Sequence, residues 1–444
     1  MGAWMSAVLS SYGLNYLFFL TYGTMKLINC TTLRIEDVFN SSTTRPYAIL
    51  SHRWEADEVT YQDIMSSQPP THKAGWMKIR EACRVAQSMG YEFAWVDTCC
   101  INKQDFAELT EAINSMFKWY ANAGVCIAYL SDVTPEQPSV EDSQWFTRGW
   151  TLPELIAPEV VEFFDREWNH IGTRAELCNE IRRITDIDEK ILRYDVSSGN
   201  TIEGLLSEVP VARKMSWASG RATTREEDMA YSLLGIFGIN MQLLYGEGSN
   251  AFMRLQLEIM KETNDMTLFA WTCSSDNPYQ QGAPEYRGIL ATSPGEFEDT
   301  GNVVFTRDIK YNPEYTMTNK GLRIETRFVV GEDTTHFLKL QCKWDDGPPG
   351  QSLAIPLKDH GGGIFLRSDP DRFVMLPDDD LQGRNSTIYI KKHIRIVEEP
   401  PLYAETERVL RKAYQFHTSG PKRVTIQRAV PETKWNSQRN MIEI

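Results

Sequence analysis

Trp145-Phe146-Thr147-Arg148-Gly149-Trp150-Thr151-Leu152-Pro153-Glu154-Leu155-Ile156-Ala157-Pro158 is the stretch that decides the fold. It lies between two apolar runs, 125–130 and 160–164, which are typical of buried strands. Pro153 fits the first turn of a helix and Pro158 ends that helix, so the stretch predicts a short helix between two strands. One interpretation is an ordinary crossover, with its tryptophans in the core and Glu154 in solvent. The other is that these residues form part of a functional site.

Two earlier apolar runs, 47–50 and 93–96, complete the strand pattern. Between the runs, apolar residues recur at helical spacing over 73–89 and over 105–121. Apolar strands that alternate with amphipathic helices are typical of an α/β fold with a parallel sheet covered on both faces. We therefore predict a doubly wound parallel sheet.

Polar residues follow each predicted strand. They are Ser51-His52-Arg53-Trp54, Asp97-Thr98-Cys99-Cys100, Ser131-Asp132 and Asp165. In a parallel sheet the carboxyl ends of the strands meet at one edge, where ligands bind. We expect these residues to collect there with Arg148, Trp150 and Glu154. Ordinary turn chemistry explains each group taken alone, but together they predict a pocket.

The rest of the chain changes character twice. Residues 201–266 read as a helical extension, in which Thr224 and Glu227 predict a capping box at the start of a helix. Residues 267–400 contain short alternating strands separated by turns, which predicts a β-rich module. We treat 401–444 as a C-terminal tail and 1–24 as an N-terminal extension, with Met25 as a plausible functional start.

Composition excludes several classes of protein. A net charge of −14 argues against a nucleic-acid partner and against a membrane surface. The eight cysteines have no spacing typical of a disulfide framework or a metal site, so we expect reduced, buried thiols in a cytoplasmic protein that binds no metal. A secreted or membrane protein, suggested by the uncharged first 25 residues and the glycosylation sequons, is the alternative.

Several of these stretches resemble the HET (heterokaryon incompatibility) domain of filamentous fungi. The similarity is carried by residues 47–54, by 95–103 and by the stretch 145–158 quoted above. Three later stretches, 223–237, 244–248 and 317–322, resemble HET proteins of the vegetative-incompatibility type. The resemblance implies a role in non-self recognition and in regulated cell death after unlike cells fuse.

A second, more distant likeness concerns the mechanism. Residues 148–155 resemble the stretch of TIR domains that carries the catalytic glutamate of NAD+-cleaving enzymes. This likeness implies a flavodoxin/TIR-like sheet in residues 25–200 and places the catalytic role on Glu154. NAD+ is then a substrate, and no cofactor is expected.

The resemblance implies binding roles for the residues around Glu154. The substrate-binding set is Ser51, His52, Arg53, Trp54, Asp97, Thr98, Arg148 and Trp150. We expect Trp54 or Trp150 to stack on a base, and Arg53 or Arg148 to bind the pyrophosphate. For His52 a purely structural hydrogen bond is the alternative, and Cys99 is a remote alternative nucleophile.

Two classes of function stay open at this point. One is a cell-death effector that hydrolyses NAD+. The other is a non-catalytic module that self-associates or binds a signalling partner and triggers death by assembly. An NAD+ nucleosidase should lose its effect when Glu154 becomes glutamine, whereas a scaffold should depend on the surface of the helix over 105–121.

Overall fold

The computed structural model describes residues 25–38, 46–137, 139–273, 285–307, 312–327, 329–330, 335–378, 385–394, 434–436 and 441–443. The chain forms two compact units, one of residues 1–359 with 363–393 and one of 360–362 with 394–444. The predicted extension 1–24 and most of the predicted tail lie outside the described residues. Within the tail, Lys434–Asn436 pairs antiparallel with Met441–Glu443.

A seven-stranded sheet forms the first part of the larger unit. Its strands are β1 (Met25–Asn29), β2 (Arg34–Val38), β3 (Tyr47–His52), β4 (Phe93–Trp95), β5 (Val125–Tyr129), β6 (Val161–Phe164) and β7 (His170–Thr173). They lie in the order β2-β1-β4-β3-β5-β6-β7. The central four are parallel, as predicted. Strands β1, β2 and β7 run antiparallel to their neighbours and were not predicted.

The order of the parallel strands indicates where in the sheet a ligand site is expected. Numbered from β3 along the chain, the central four lie in the order 2-1-3-4, which is the beginning of the flavodoxin-type order. The order reverses beside β3, and in sheets of this type ligands bind at the carboxyl end of the strands at such a switch point. All six residues of β3 are buried, as expected for a strand covered on both faces.

Five helices accompany this sheet. They are α1 (Tyr61–Ile64), α2 (Ala74–Ser88), α3 (Asp97–Cys100), α4 (Phe106–Ala121) and α5 (Thr151–Ile156). Helix α4 starts as predicted, because the Asp105 carboxylate accepts the backbone N–H groups of Ala107 and Glu108. Helix α5 has Pro153 in its first turn and ends before Pro158, also as predicted.

Strand alternation gives neighbouring residues of β3 different surroundings. The Tyr47 hydroxyl donates to the Trp119 carbonyl of α4, at 2.6 Å, and the Ser51 hydroxyl meets Glu154 of α5. His52 therefore points to the other face, where Glu58 pairs with Lys78 of α2 at 2.6 Å.

Short helices and turns follow the sheet. The helices are α6 (Cys178–Thr185), α7 (Glu189–Leu192), α8 (Ile202–Ser207), α9 (Val211–Ser216), α10 (Asp228–Tyr231) and α11 (Asn250–Glu262). The predicted capping box at Thr224 is wrong. Glu227 instead accepts the backbone N–H groups of Gly246 and Gly248, at 2.7 and 3.1 Å, and so ties the later turn to α10. Both glycines have positive φ, which side-chain-bearing residues adopt only with strain.

The β-rich region predicted from residue 267 onward is confirmed. Its strands are β8 (Tyr286–Arg287), β9 (Val303–Phe305), β10 (Tyr315–Thr318), β11 (Gly321–Thr326), β12 (Val329–Val330), β13 (His336–Lys339), β14 (Cys342–Trp344), β15 (Gln351–Asp359), β16 (Ile364–Ser368), β17 (Val374–Pro377) and β18 (Ser386–Ile390). One sheet has the order β10-β11-β18-β16-β15-β13-β12, with β17 beside β15 and β8 beside β16; β9 pairs separately with β14.

A buried arginine joins this region to the helical part. Arg367 of β16 is fully buried and donates to the backbone carbonyls of Phe269 and Trp271. Its guanidinium carbon lies 3.8 Å from the centre of the Trp271 ring, so charge and packing act together at this contact.

All eight cysteines are described, and each is buried and free of a disulfide. This confirms the expected buried thiols. Within the described residues, no helix combines the length and apolar character needed to cross a membrane.

Candidate active site

Glu154 lies at the bottom of the site and is 6% exposed. The Ser51 hydroxyl donates to its carboxyl group, while the Trp145 indole donates to the Ser51 oxygen at 2.9 Å. The Tyr120 hydroxyl lies close to Glu154 and donates its proton to the Leu50 carbonyl at 3.1 Å. Hence a strand end, helix α4 and the stretch before α5 together fix the position of this carboxyl group.

Burial makes Glu154 an unusual acid. Desolvation, with a smaller effect from the negative charge of Asp97, raises the pKa of Glu154 to about 8. The hydrogen bond from Ser51 and the positive charge of Arg148 oppose this rise. At neutral pH the group is therefore mostly protonated, and a nearby cation would favour its ionised form.

Asp97 is the second carboxyl group and lies next to His52. The distance from His52 Nε2 to Asp97 Oδ1 is 3.1 Å, and the Trp54 indole donates to Asp97 Oδ2 at 2.8 Å. A carboxylate only accepts hydrogen bonds, so Nε2 of His52 carries the proton in this pair. His52 Nδ1 has no hydrogen-bond partner among the described residues and lies 4.0 Å from Glu58 Oε1.

The two carboxyl groups differ in charge. Burial acts to raise the pKa of Asp97, but the hydrogen bond from His52 and the charges of Lys103 and Arg148 hold it well below its usual range. Asp97 is thus ionised where Glu154 is protonated. Neighbouring carboxyl groups whose environments push their pKa values apart are typical of acid–base sites.

The outer part of the site is cationic and aromatic. Trp54 is 44% exposed, with the Lys103 ammonium 3.5 Å and the Arg148 guanidinium carbon 5.1 Å from the centre of one of its rings. Arg53 lies nearby in sequence, and its guanidinium is 4.0 Å from the Asp132 carboxylate. The site therefore runs from a positively charged mouth inward to Asp97 and Glu154.

The turn that carries Arg148 is held by the helical region. The backbones of Arg148 and Ala222 form an isolated bridge, with hydrogen bonds of 2.7 and 2.8 Å on either side. The buried Arg221 donates to the Arg148 carbonyl at 2.9 Å and to the Thr151 hydroxyl at 3.0 Å. Burial lowers the pKa of Arg221 to about 9, and the negative charge of Glu154 opposes this shift.

The structure brings some predicted residues together and leaves others apart. Ser51, His52, Trp54, Asp97, Arg148 and Glu154 form one connected group, with Arg53 at its margin. Thr98 is buried, and its hydroxyl has no hydrogen-bond partner among the described residues. Trp150 lies instead beside Asp228 of α10, where it opposes the rise that burial causes in the pKa of this carboxyl group.

Two polar residues from strand ends serve other purposes. Asp165 binds the backbone N–H groups of Glu167 and Asn169, at 2.9 Å each, and so closes its own turn. Cys99 is fully buried, and burial raises the pKa of its thiol well above the usual range, which disfavours the nucleophilic thiolate.

Sequence reasoning missed three residues of the site. Tyr120 lies inside a predicted helix, and its place in the apolar pattern of that helix is explained by a core position without any role in a site. Arg221 is 67 positions beyond Glu154 in the chain, and only the fold brings the two together. Lys103 belonged to a recognised motif, but nothing in the sequence indicated that its ammonium lies against Trp54.

Comparisons with known proteins agree on a family. Residues 47–141 match the family model described as heterokaryon incompatibility protein (HET). The chain contains an HET domain. It is also 46% identical, over 230 residues, to vegetative incompatibility protein HET-E-1 of Podospora anserina. That similarity covers 49% of this chain but only 16% of the relative. No solved structure matches the chain.

The HET family match covers part of the site only. It includes Ser51, His52, Arg53, Trp54, Asp97 and Thr98 and ends before Arg148. The roles of Arg148 and Glu154 therefore depend on their geometry in this chain.

Proposed function

We propose that this chain acts in fungal vegetative incompatibility as a cell-death effector, and that its HET domain hydrolyses NAD+. The observation that carries the proposal is the buried Glu154, held by Ser51 beneath a cationic mouth. The HET domain and the similarity to a vegetative incompatibility protein support the biological role.

The reaction breaks the bond between nicotinamide and C1 of the ribose. The bonding electron pair leaves with nicotinamide and neutralises its ring, while positive charge develops on the ribose. Water then attacks C1 and loses a proton, so that NAD+ and water give ADP-ribose, nicotinamide and a proton. A carboxylate close to the ribose stabilises the developing positive charge.

Glu154 supplies that carboxylate. The positive nicotinamide ring favours the ionised form of Glu154, just as the negative Asp97 disfavours it in the free protein. Ser51 holds the carboxyl group in position, and its hydrogen bond favours ionisation. Asp97 is already ionised and lies near enough to Glu154 to affect its pKa, so it provides a second negative charge for the same cation.

Expression in a yeast host tests the effector role. The full chain should lower cellular NAD+ and stop growth, whereas Glu154→Gln at the same expression level should do neither. Glu111→Gln, which changes an exposed glutamate of α4 in the same way, is the matched control and should behave like the parent.

The non-catalytic alternative makes the opposite prediction. If assembly alone kills cells, Glu154→Gln should remain toxic with normal NAD+ levels, because the isosteric change leaves the surface of the protein intact. Toxicity of this kind would refute the enzymatic proposal and favour the signalling scaffold.

A further inference from the structure

Two cations at the mouth of the site lie against the same indole. Lys103 follows α3 and Arg148 precedes α5, so different segments of the chain bring them to Trp54, at 3.5 and 5.1 Å from the ring centre. The indole N–H donates to Asp97 Oδ2 at 2.8 Å, which fixes the plane of the ring. Both cations therefore lie against an indole ring whose orientation is held by this hydrogen bond.

Neither side chain forms a direct ion pair, although the charges of both act on the nearby Asp97. Among the described residues, the side chains of Lys103 and Arg148 form no hydrogen bond and no ion pair closer than 4 Å. The nearby Asp97 already accepts hydrogen bonds from His52 and Trp54. Like charges held close together repel each other, and an anion placed between them relieves this repulsion.

The backbone of Arg148 is rigid although its side chain is free. Its carbonyl accepts from Arg221 and Thr151, and the turn pairs with Ala222. Arg53, by contrast, already faces Asp132 at 4.0 Å. A free guanidinium carried on a rigid turn, next to a free ammonium, offers several N–H donors to one group with several acceptor oxygens, as a phosphate has.

We propose that Lys103 and Arg148 bind a phosphate group of a phosphorylated nucleotide at the mouth of the site. This inference rests on the proposed function and specifies its substrate class, because the anionic end of the ligand lies at the mouth and its cationic end at Glu154 and Asp97. A nucleotide with a pyrophosphate meets this pattern, and an unphosphorylated nucleoside does not. Lys103 thus joins Arg148 as a residue that determines specificity.

Calorimetric titration of the full chain with ADP-ribose and with adenosine tests the proposal. ADP-ribose should bind and adenosine should bind much more weakly. Lys103→Gln and Arg148→Gln should each weaken ADP-ribose binding about tenfold or more, as expected for the loss of one charge-assisted contact. Lys261→Gln, which changes an exposed lysine of α11, is the matched control and should bind like the parent.

Two results would overturn the proposal. One is unchanged ADP-ribose affinity in both Lys103→Gln and Arg148→Gln. The other is no binding of ADP-ribose by the parent at millimolar concentration. Because Lys103 is exposed, its substitution should not affect folding, and thermal melting of each variant verifies this.

Nicotinamide release separates this proposal from the proposed function. Charge-dependent ADP-ribose binding without any release of nicotinamide from NAD+ would support the phosphate site and refute the hydrolase. Release of nicotinamide with the same KM in the parent and in Lys103→Gln would support the hydrolase and refute the phosphate site.

Discussion

The Glu154→Gln substitution should change how the stability of the protein depends on pH. In the unfolded chain this glutamate has a pKa near 4.5, and in the folded protein burial raises it to about 8. Below pH 4.5 the group is protonated in both states and contributes no pH dependence. As pH rises from 4.5 to 8 the unfolded chain loses its proton first, so the folded state is destabilised progressively.

The magnitude follows from the size of the shift. A difference of roughly 3.5 pKa units at about 1.4 kcal/mol per unit gives about 5 kcal/mol as an upper figure. Glutamine has nearly the same shape and does not titrate. The free energy of unfolding of Glu154→Gln, relative to the parent, should therefore increase between pH 5 and pH 8.5 by up to about 4 kcal/mol, because the ends of the titration lie outside this window.

Urea unfolding of the full chain at several pH values, followed by tryptophan fluorescence, measures this difference. Titrating groups far from Glu154 contribute equally to both proteins and cancel in the comparison, so the remaining difference comes from Glu154 and the groups coupled to it. The matched control Glu111→Gln, at an exposed position, should show the pH dependence of the parent. Parallel curves for Glu154→Gln and the parent would refute the raised pKa of Glu154 and the acid–base reasoning built on it.

Two further substitutions test the electrostatics and the packing of the site. Asp97→Asn removes a negative charge that raises the pKa of Glu154, so the pH midpoint of the stability difference described above should fall; an unchanged midpoint would contradict the coupling. Gly149→Ala places a Cβ 2.5 Å from Cγ2 of Thr223 and should destabilise the protein by about 1–3 kcal/mol. Adding Thr223→Ser, which lacks that methyl group, should restore most of the loss in urea unfolding, and the absence of any rescue would show that the close contact is not the cause.

The sequence predicted the strands that carry a continuous apolar run. Tyr47–His52 and Val125–Tyr129 are central and covered on both faces, and their composition shows it. Arg34–Val38 and His170–Thr173 lie at the edges of the sheet and mix polar with apolar residues. Edge strands of this kind form because a neighbouring strand provides hydrogen-bond partners. The local sequence pattern does not contain that information.

The capping box at Thr224 failed for a related reason. The local pattern was correct, but Glu227 found better partners in the backbone of Gly246 and Gly248, about 20 residues later. The two backbone N–H groups of the glycine turn compete with the single N–H group of a helix cap for the Glu227 carboxylate. Local propensity therefore gave way to a tertiary contact.

The candidate site was predictable where a general rule of α/β sheets applied. Ser51 and His52 end strand β3 and Asp97 comes shortly after β4, so the rule for strand ends brings them to one edge. Glu154 was expected at the same edge, and the resemblance to a known motif gave it its predicted catalytic role. The rule does not extend to Trp150, which lies beside Asp228 of α10. The direction of this side chain depends on the packing of α10 against the turn, which the rule for strand ends does not describe.

Nicotinamide release from NAD+ by the purified full chain tests the central claim most directly. The assay is run at high protein concentration, which allows assembly, with Glu154→Gln alongside. We predict release by the parent, with a rate that rises with pH toward about 8 as Glu154 ionises, and no release by the variant. Equal release by the parent and Glu154→Gln, or none by either at any pH, would contradict the claim that Glu154 catalyses NAD+ hydrolysis.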